Sequence, residues 1–308
     1  MITRNSLRTN LGKLWDRNQY FLAPDMKRAL ERAHEAEETE LARLHFTINL
    51  KSLAETSEAR LPLCGDTGLP MYYAIIGEHA IPKIEGGARA LLEELRDAVR
   101  QATRTVPMRV NVVDPISRAD FVDNVGFSVP IVNQRIEPDA DYLEITAVSL
   151  GGGAELMGQA AKVLTVLDGV KGIKRFLIDC VVRTDTGKNC NPQVVGVGIG
   201  GSMDVAASLA KQAAILRGIG NRHPEPEIAA LEEELVADLN GLGLGPWGIG
   251  GKSTVLDVLI ETAETHIVTL PVAIYMQCPA LRRTTIRFYA DGRVEEDVPN
   301  SWLRRKPI

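Results

Sequence analysis

An apolar run that is interrupted only by glycines constrains the fold of this chain most. Residues 194–199 are typical of a buried strand, and residues 203–216 have the apolar spacing of a helix packed on that strand. The same alternation recurs, with a helical pattern from Gly87 to about Arg104 and a strand-like run at 142–150. We therefore expect an α/β fold, organised as a single mixed α/β domain over residues 1–308.

Other segments fit the same class. Residues 24–56 have helical spacing that can contain more than one helix, and 225–239 form an acidic amphipathic pattern. Residues 173–182 fit either a strand or a buried helix. Short apolar runs at 71–76, 255–260 and 271–276 predict strands, and 284–298 predict a hairpin around Asp291-Gly292, within a C-terminal tail of about 284–308.

Charge and composition argue against two classes of partner. The chain has 308 residues, a formal net charge of −5 and only 5% aromatic residues, so neither a basic surface nor a stacking platform for nucleic acid is expected. No apolar run approaches the roughly 18 residues of a membrane span, and the first residues do not have the pattern of a signal peptide. We expect a cytoplasmic protein that binds neither nucleic acid nor membrane.

Two glycine-rich segments resemble nucleotide-binding motifs. Gly196, Gly198 and Gly201 match the dinucleotide fingerprint, but the acidic residue expected about 20 positions later is missing. A tight strand-to-helix turn is the simpler interpretation, and an NAD-dependent oxidoreductase remains the alternative. The segment 250–253 (Gly-Gly-Lys-Ser) lacks the first glycine of a phosphate loop, although its amides and Lys252 could still meet an anion.

Four cysteines are the remaining candidates for chemistry. Cys64, Cys190 and Cys278 lie at predicted turns beside Gly or Pro, where the backbone can approach a bulky inorganic group, whereas Cys180 lies in an apolar stretch and is expected in the core. None has the close spacing of a zinc site. Spacing alone therefore leaves open whether three of them share one site.

Several long motifs, in a fixed order, nevertheless resemble the type I fumarase and L-tartrate dehydratase family of iron–sulfur hydro-lyases, specifically its α subunit or N-terminal domain. The resemblance covers about residues 20–285. Its motifs are Cys-Gly-Asp-Thr-Gly (64–68), Gly-Gly-Gly-Ala-Glu (151–155), Cys-Asn-Pro-Gln-Val-Val-Gly-Val-Gly-Ile-Gly-Gly (190–201), the glycine-rich segment through Lys252 to Asp257, His266 twelve residues before Cys278, and Arg282-Arg283.

The resemblance implies a 4Fe-4S cluster held by Cys64, Cys190 and Cys278, with a fourth iron left open for substrate. The reaction implied is reversible hydration or dehydration of a small dicarboxylic acid of the fumarate/malate or tartrate type. By position, the residues that match the family's substrate site are Asp66, Arg109, Gly152 and His266, with Asp66 and His266 as catalytic candidates and Lys252 as a further substrate-binding candidate.

In this family the catalytic base belongs to a second, β-type domain, so the resemblance also implies a β subunit, in a heterotetramer, without which this chain is inactive. The chain departs from the family at three positions: Gly65 replaces the usual Gln, Asn191 a frequent Pro, and Pro279 the usual His. Gly65 leaves L-tartrate or another 2-hydroxy diacid open as the substrate. A non-catalytic subunit that has lost its chemistry is a further alternative.

Overall fold

The computed structural model of the protein describes residues 1–184 and 190–303. The described residues form helices and two mixed sheets, which confirms the α/β class. The described helices are α1 (Arg4–Tyr20), α2 (Pro24–Ala36), α3 (Glu40–Glu58), α4 (Gly87–Thr105), α5 (Gly152–Met157), α6 (Gly169–Thr184), α7 (Met203–Leu216) and α8 (Pro226–Gly241). The described strands are β1 (Leu69–Gly77), β2 (Ile131–Glu137), β3 (Tyr142–Leu150), β4 (Gln159–Thr165), β5 (Gln193–Gly201), β6 (Val255–Thr265), β7 (Thr269–Gln277), β8 (Arg282–Tyr289) and β9 (Val294–Glu296).

The chain divides into two compact units, each built from segments that are distant in sequence. Unit 1 comprises Met1–Ala23, Ala54–Gly151 and Arg282–Ile308, and unit 2 comprises Pro24–Leu53 and Gly152–Leu281. The expected organisation as a single domain stays a prediction.

Unit 1 contains a five-stranded sheet in the order β2-β1-β3-β8-β9. Helices α1 and α4 cover the sheet through an apolar core that includes Leu11, Trp15 and Leu95. Strands β8 and β9 pair as a hairpin around Asp291-Gly292, in agreement with the sequence pattern.

Helix α1 is not among the elements predicted from the sequence. The Thr3 hydroxyl accepts a hydrogen bond from the Ser6 amide at 3.1 Å and so caps the helix. Leu7, Leu11 and Trp15 then recur at four-residue intervals and are fully buried. This spacing is the signal that could have predicted the helix.

Unit 2 contains a four-stranded sheet in the order β4-β7-β5-β6, in which β7 runs antiparallel to β4 and β5, and β5 and β6 are parallel. Helices α6 and α8 pack on one face, where Leu177 and Leu239 share an apolar core with Val195 and Val197 of β5. The run 173–182, which the sequence left ambiguous, belongs to α6, since its buried residues recur at helical intervals.

Helix α7 covers the other face of the unit 2 sheet, and two glycines of β5 make its close approach possible. A Cβ atom on Gly196 would lie 2.0 Å from the Ala210 carbonyl oxygen, and one on Gly198 would lie 1.9 Å from that of Ala206. These glycines therefore lie inside a strand, and their lack of side chains lets α7 pack closely against it. The expected turn begins only at Gly200 and Gly201, whose φ values are +91° and +63°.

No helix in the described ranges is both long and apolar enough to cross a membrane.

Candidate active site

The sheet of unit 2 brings two of the three predicted cluster ligands to one edge. Cys190 precedes β5 and Cys278 follows β7, and because these strands are antiparallel, with Val194 opposite Gln277, the two cysteines lie at the same end of the sheet. Cys190 is exposed and Cys278 is partly buried. We refer to this end of the unit 2 sheet as the cysteine edge.

Amide side chains surround the two cysteines. Gln277 donates from Nε2 to the Cys278 carbonyl oxygen at 3.0 Å and toward Cys278 Sγ at 3.5 Å. Asn191, next to Cys190, accepts a hydrogen bond at Oδ1 from Gln193 Nε2 at 2.5 Å. The cysteine edge therefore directs one amide N–H, that of Gln277, at a sulfur atom, and such a donor stabilises negative charge on sulfur.

The loop that contains Lys252 lies at the same edge, because it leads into β6 and Val255 pairs with Gln193. The buried carboxylate of Glu37 accepts from the Lys252 amide at 2.9 Å and from the Ser253 amide at 2.7 Å. The anion that the loop amides bind is thus an internal carboxylate, that of Glu37. The Lys252 ammonium forms an exposed ion pair with Glu38 at 2.5 Å.

Gly152 also belongs to this edge of unit 2. It begins α5, which leads into β4 next to β7, and the Gly158 carbonyl oxygen accepts a hydrogen bond from the Met276 amide at 2.7 Å. In the same helix the Glu155 carboxylate accepts from Lys211 Nζ at 2.8 Å and from the Tyr275 hydroxyl at 2.9 Å. Gly152 is itself exposed.

Three further predicted residues lie in unit 1: Cys64, Asp66 and Arg109. Cys64 is partly buried in the loop before β1. The Asp66 carboxylate accepts at Oδ1 from the Gly68 amide at 3.0 Å and from Asn111 Nδ2 at 3.2 Å. Asp66 is therefore a turn residue, as its position before Thr-Gly suggests, and its carboxylate is also held in a fixed orientation.

The segment containing Arg109 is attached to the same loop. Thr67 Oγ1 accepts a hydrogen bond from the Arg109 amide at 3.0 Å, and Asn124 donates to the Arg109 carbonyl oxygen at 3.0 Å. The Arg109 side chain is exposed, and no described residue forms an ion pair with its guanidinium. The backbone is fixed while the cation faces solvent, an arrangement suited to binding a carboxylate.

His266 lies at the end of the unit 2 sheet opposite to the cysteine edge. It is exposed in the turn between β6 and β7, and its Nδ1 lies 3.4 Å from the Val268 amide. The nine residues of β7 separate this turn from Cys278, which is about 30 Å at about 3.3 Å per strand residue. The structure does not bring His266 together with Cys190, Cys278 or Lys252.

Cys180 is buried in the core of unit 2, as the sequence predicts. Burial raises the pKa of its thiol, so that it stays protonated and is a poor metal ligand. No disulfide joins any of the four cysteines in the part of the chain that the structure describes.

The donor set fits an iron–sulfur cluster in part. Within residues 1–184 and 190–303, no three His, Cys, Asp or Glu side chains are arranged as a metal site. At the cysteine edge, however, two thiols lie at one end of a sheet, with an amide N–H directed at one sulfur. Thiolates supported by N–H donors are the ligands and contacts that such a cluster uses.

Comparison with known proteins decides the family. The family model described as "Fumarate hydratase (Fumerase)" matches residues 9–287. The chain belongs to this fumarate hydratase family. Members of the family are generally iron–sulfur dependent, and membership identifies the chain as a hydro-lyase.

Relatives of this fumarate hydratase family member carry a more specific name. A protein of Methanocaldococcus jannaschii named "Putative L(+)-tartrate dehydratase subunit alpha" is 42% identical over 275 residues, which is 89% of this chain and 94% of that protein. The L(+)-tartrate dehydratase subunit alpha of Escherichia coli K12 is 36% identical over 267 residues, or 87% of this chain and 86% of that protein. The Shigella sonnei protein of the same name is equally similar.

Sequence reasoning missed the residues that hold the candidate residues in place. Glu37, Asn124 and Gln277 are buried and polar, and each fixes a loop that contains a candidate. Only Gln277 offered a local signal, since it directly precedes Cys278. The contacts of Glu37 span 215 residues or more in sequence, so no local pattern could have identified them.

Proposed function

We propose that this chain is the α subunit of a 4Fe-4S-dependent hydro-lyase that adds water to, or removes it from, a small dicarboxylic acid. Cys64, Cys190 and Cys278 are the proposed cluster ligands. The observation that carries the proposal is the placement of Cys190 and Cys278 at one edge of the unit 2 sheet, beside the loop of Lys252.

The chemistry of the cysteine edge supports an inorganic sulfur ligand rather than a dinucleotide. In a dinucleotide site the glycines approach the pyrophosphate at the carboxyl end of the strand. Here Gly196 and Gly198 are covered by α7, and the cysteines lie at the amino end of β5. The oxidoreductase alternative therefore loses the motif on which it depended.

The chain's own residues bind and orient the substrate. When bound, the cluster supplies a Lewis-acidic iron that assists departure of a hydroxyl group. Arg109 binds one carboxylate of the diacid through its exposed guanidinium. The Asp66 carboxylate, oriented by Gly68 and Asn111, holds or transfers a proton.

Lys252 and the backbone at Gly152 are the proposed contacts for the other end of the diacid. Lys252 forms an exposed ion pair with Glu38, and exposed pairs of this kind contribute at most about 1 kcal/mol. A substrate carboxylate can therefore compete with Glu38 for the ammonium group. The Lys252 backbone stays in place because Glu37 binds two amides of the loop.

A β subunit is proposed to complete the site and to supply the catalytic base, in a heterotetramer. The relatives named subunit alpha support this, since such a name implies a second type of subunit. On this proposal the isolated chain is inactive. The cytoplasm is the proposed location, because a cluster with an open iron requires a reducing compartment.

A 2-hydroxy diacid of the tartrate type is the proposed substrate. Two relatives with high coverage are named for L(+)-tartrate. Gly65, which stands between Cys64 and Asp66, agrees with this, because apart from these two neighbours no described residue has an atom within 4 Å of the position that a Cβ would occupy there. The space suits a substrate with a second hydroxyl group better than fumarate or malate.

His266 is not assigned a contact with substrate held at the cysteine edge of its own chain. About 30 Å of strand separates the two. A catalytic role for His266, which the family resemblance implies, requires that it act on a substrate bound away from the cysteine edge of the same unit.

The test is co-expression with the product of the neighbouring gene, followed by purification without oxygen. We expect a brown complex containing iron and labile sulfide, active on L-tartrate or a related hydroxy diacid and inactive without the partner. Assays with fumarate, malate and the tartrate stereoisomers identify the substrate. A complex without iron and sulfide would contradict the proposal.

A further inference from the structure

Two buried amide side chains at the cysteine edge carry polar atoms without hydrogen-bond partners among the described residues. These atoms are Asn191 Nδ2 and Gln277 Oε1. Both side chains belong to residues that are only 1% exposed. Buried polar groups are nearly always paired, so each exception requires a physical reason.

Each of these amides uses only one of its two polar atoms in a hydrogen bond of the described structure. Asn191 Oδ1 accepts from Gln193 Nε2, so the Asn191 Nδ2 group is left as an unused donor. Gln277 Nε2 donates to the Cys278 carbonyl oxygen and toward Cys278 Sγ. Reversal of the Gln277 amide would place two carbonyl oxygens against each other, so its N–H must face the sulfur.

Substrate is a poor candidate for the missing partner of Asn191. The Nδ2 atom is closed to solvent, so a diffusing diacid cannot reach it without a rearrangement of the edge. Metal binding, by contrast, changes the thiol of Cys190, the residue directly before Asn191 in the sequence. A cysteine must lose its proton to bind iron, and the resulting thiolate is a much stronger hydrogen-bond acceptor than the thiol.

We propose that Asn191 donates an N–H···S hydrogen bond from Nδ2 to sulfur at the Cys190 side of the cluster, as a counterpart to Gln277 at Cys278. The inference rests on the proposed function and adds to it a positioning residue. Because N–H donors stabilise the more negative, reduced form, the two amides raise the cluster's reduction potential and slow its loss. The proline that the family often has at this position offers no such donor.

Two variants distinguish the loss of the Asn191 Nδ2 donor from the loss of the hydrogen bond between Asn191 and Gln193. Asn191→Ala removes the Nδ2 donor and also breaks the hydrogen bond with Gln193. Gln193→Ala breaks the same hydrogen bond but keeps the Asn191 donor, and so serves as the matched control. Both are prepared as the anaerobic complex with the β subunit, and iron, sulfide, midpoint potential and the rate of cluster loss in air are measured.

We expect Asn191→Ala to lower the midpoint potential and to speed cluster loss by about 10-fold, the lower end of the effects of removing a contact to a metal ligand. Gln193→Ala should stay close to the unmodified complex in both measurements. Equal effects of the two variants, or an Asn191→Ala complex with unchanged potential and lifetime, would overturn the inference. An unmodified complex without iron and sulfide would instead overturn the proposed function, and this inference with it.

Discussion

The two ends of the unit 2 sheet differ in what they offer a ligand. The cysteine edge carries Cys190, Cys278 and the Lys252 loop, held by the buried carboxylate of Glu37. The opposite edge carries the exposed turn of His266, whose neighbours Ile267 and Val268 are 85% and 61% exposed. The cysteine edge presents polar and sulfur groups on loops held by hydrogen bonds. The opposite end is an exposed turn in which two apolar residues follow His266.

This difference distinguishes two functional hypotheses. Ligands of parallel α/β sheets usually bind at the carboxyl ends of the strands, where a dinucleotide at β5 would lie beside Gly200 and Gly201. The cysteines of this chain lie at the amino end of β5 instead. A ligand at the amino end of β5 therefore indicates a cluster-dependent hydro-lyase, and a ligand at its carboxyl end would indicate a nucleotide-dependent enzyme.

The largest effect is expected at the cysteines. Cys190→Ser or Cys278→Ser should abolish the brown colour and the hydro-lyase activity of the complex, because serine is a poor ligand for iron. Cys64→Ser should do the same. The measurements are visible absorbance, iron and sulfide content, and turnover.

Cys180→Ser is the matched control for this prediction. Burial raises the pKa of the Cys180 thiol and keeps it out of metal chemistry, so this variant should retain the cluster. Loss of the cluster in Cys180→Ser, or its retention in Cys190→Ser, would contradict the assignment of the cysteine edge.

A smaller effect is expected from the carboxylate that holds the Lys252 loop. In Glu37→Gln one carboxylate oxygen becomes an NH₂ group that cannot accept, so either the Lys252 or the Ser253 amide loses its partner. A buried amide left unpaired costs about 1–3 kcal/mol of the free energy of unfolding. Denaturant unfolding of the apo chain measures this loss.

The neighbouring residue supplies the control. Glu38→Gln removes only the exposed ion pair with the Lys252 ammonium, which should change the free energy of unfolding by less than about 1 kcal/mol. Equal effects of the two substitutions would mean that Glu37 does not hold the loop as its two hydrogen bonds indicate.

The sequence predicted several elements of unit 2, because their signals are local, but not α5 or β4. The helix at 203–216 coincides with α7, and the strand at 194–199 lies within β5. The role of the β5 glycines was not predictable, since the motif Gly-x-Gly is the same whether a pyrophosphate or a helix approaches it. Only the 2 Å approach of α7 carbonyl oxygens distinguishes the two.

The candidate residues illustrate the same limit. The family motifs named Asp66 and Lys252, but the partners that orient them, Asn111 and Glu37, are distant in sequence. His266 stands twelve residues before Cys278, yet an extended strand turns this short separation into about 30 Å. Proximity in sequence is thus a poor guide to proximity in a site.

A modest effect of pH is expected from His45, whose ring lies beside Trp247 in the segment before the Lys252 loop. Burial lowers the pKa of His45 below its ordinary value of 6.5. Asn49 Nδ2 lies 2.8 Å from His45 Nε2, and since an amide N–H can only donate, this nitrogen accepts and is unprotonated.

The unfolded chain therefore binds a proton at His45 more readily than the folded chain does. The contribution of His45 to stability is complete above pH 6.5 and is lost as the pH falls below that value. His45→Gln should flatten this part of the acid unfolding profile, as measured by thermal unfolding between pH 5 and pH 8. An unchanged profile would contradict a neutral, partly buried His45.

The smallest effect on the cluster is expected at the other end of the sheet. His266→Ala should leave iron content, labile sulfide and the visible spectrum unchanged, because β7 holds His266 about 30 Å from Cys278. Turnover is measured on the same preparation. A fall in turnover with unchanged iron would mean that His266 acts on substrate bound away from the cysteine edge of its own unit. Bleaching of the cluster in His266→Ala, in contrast, would contradict the separation of the two ends of the unit 2 sheet.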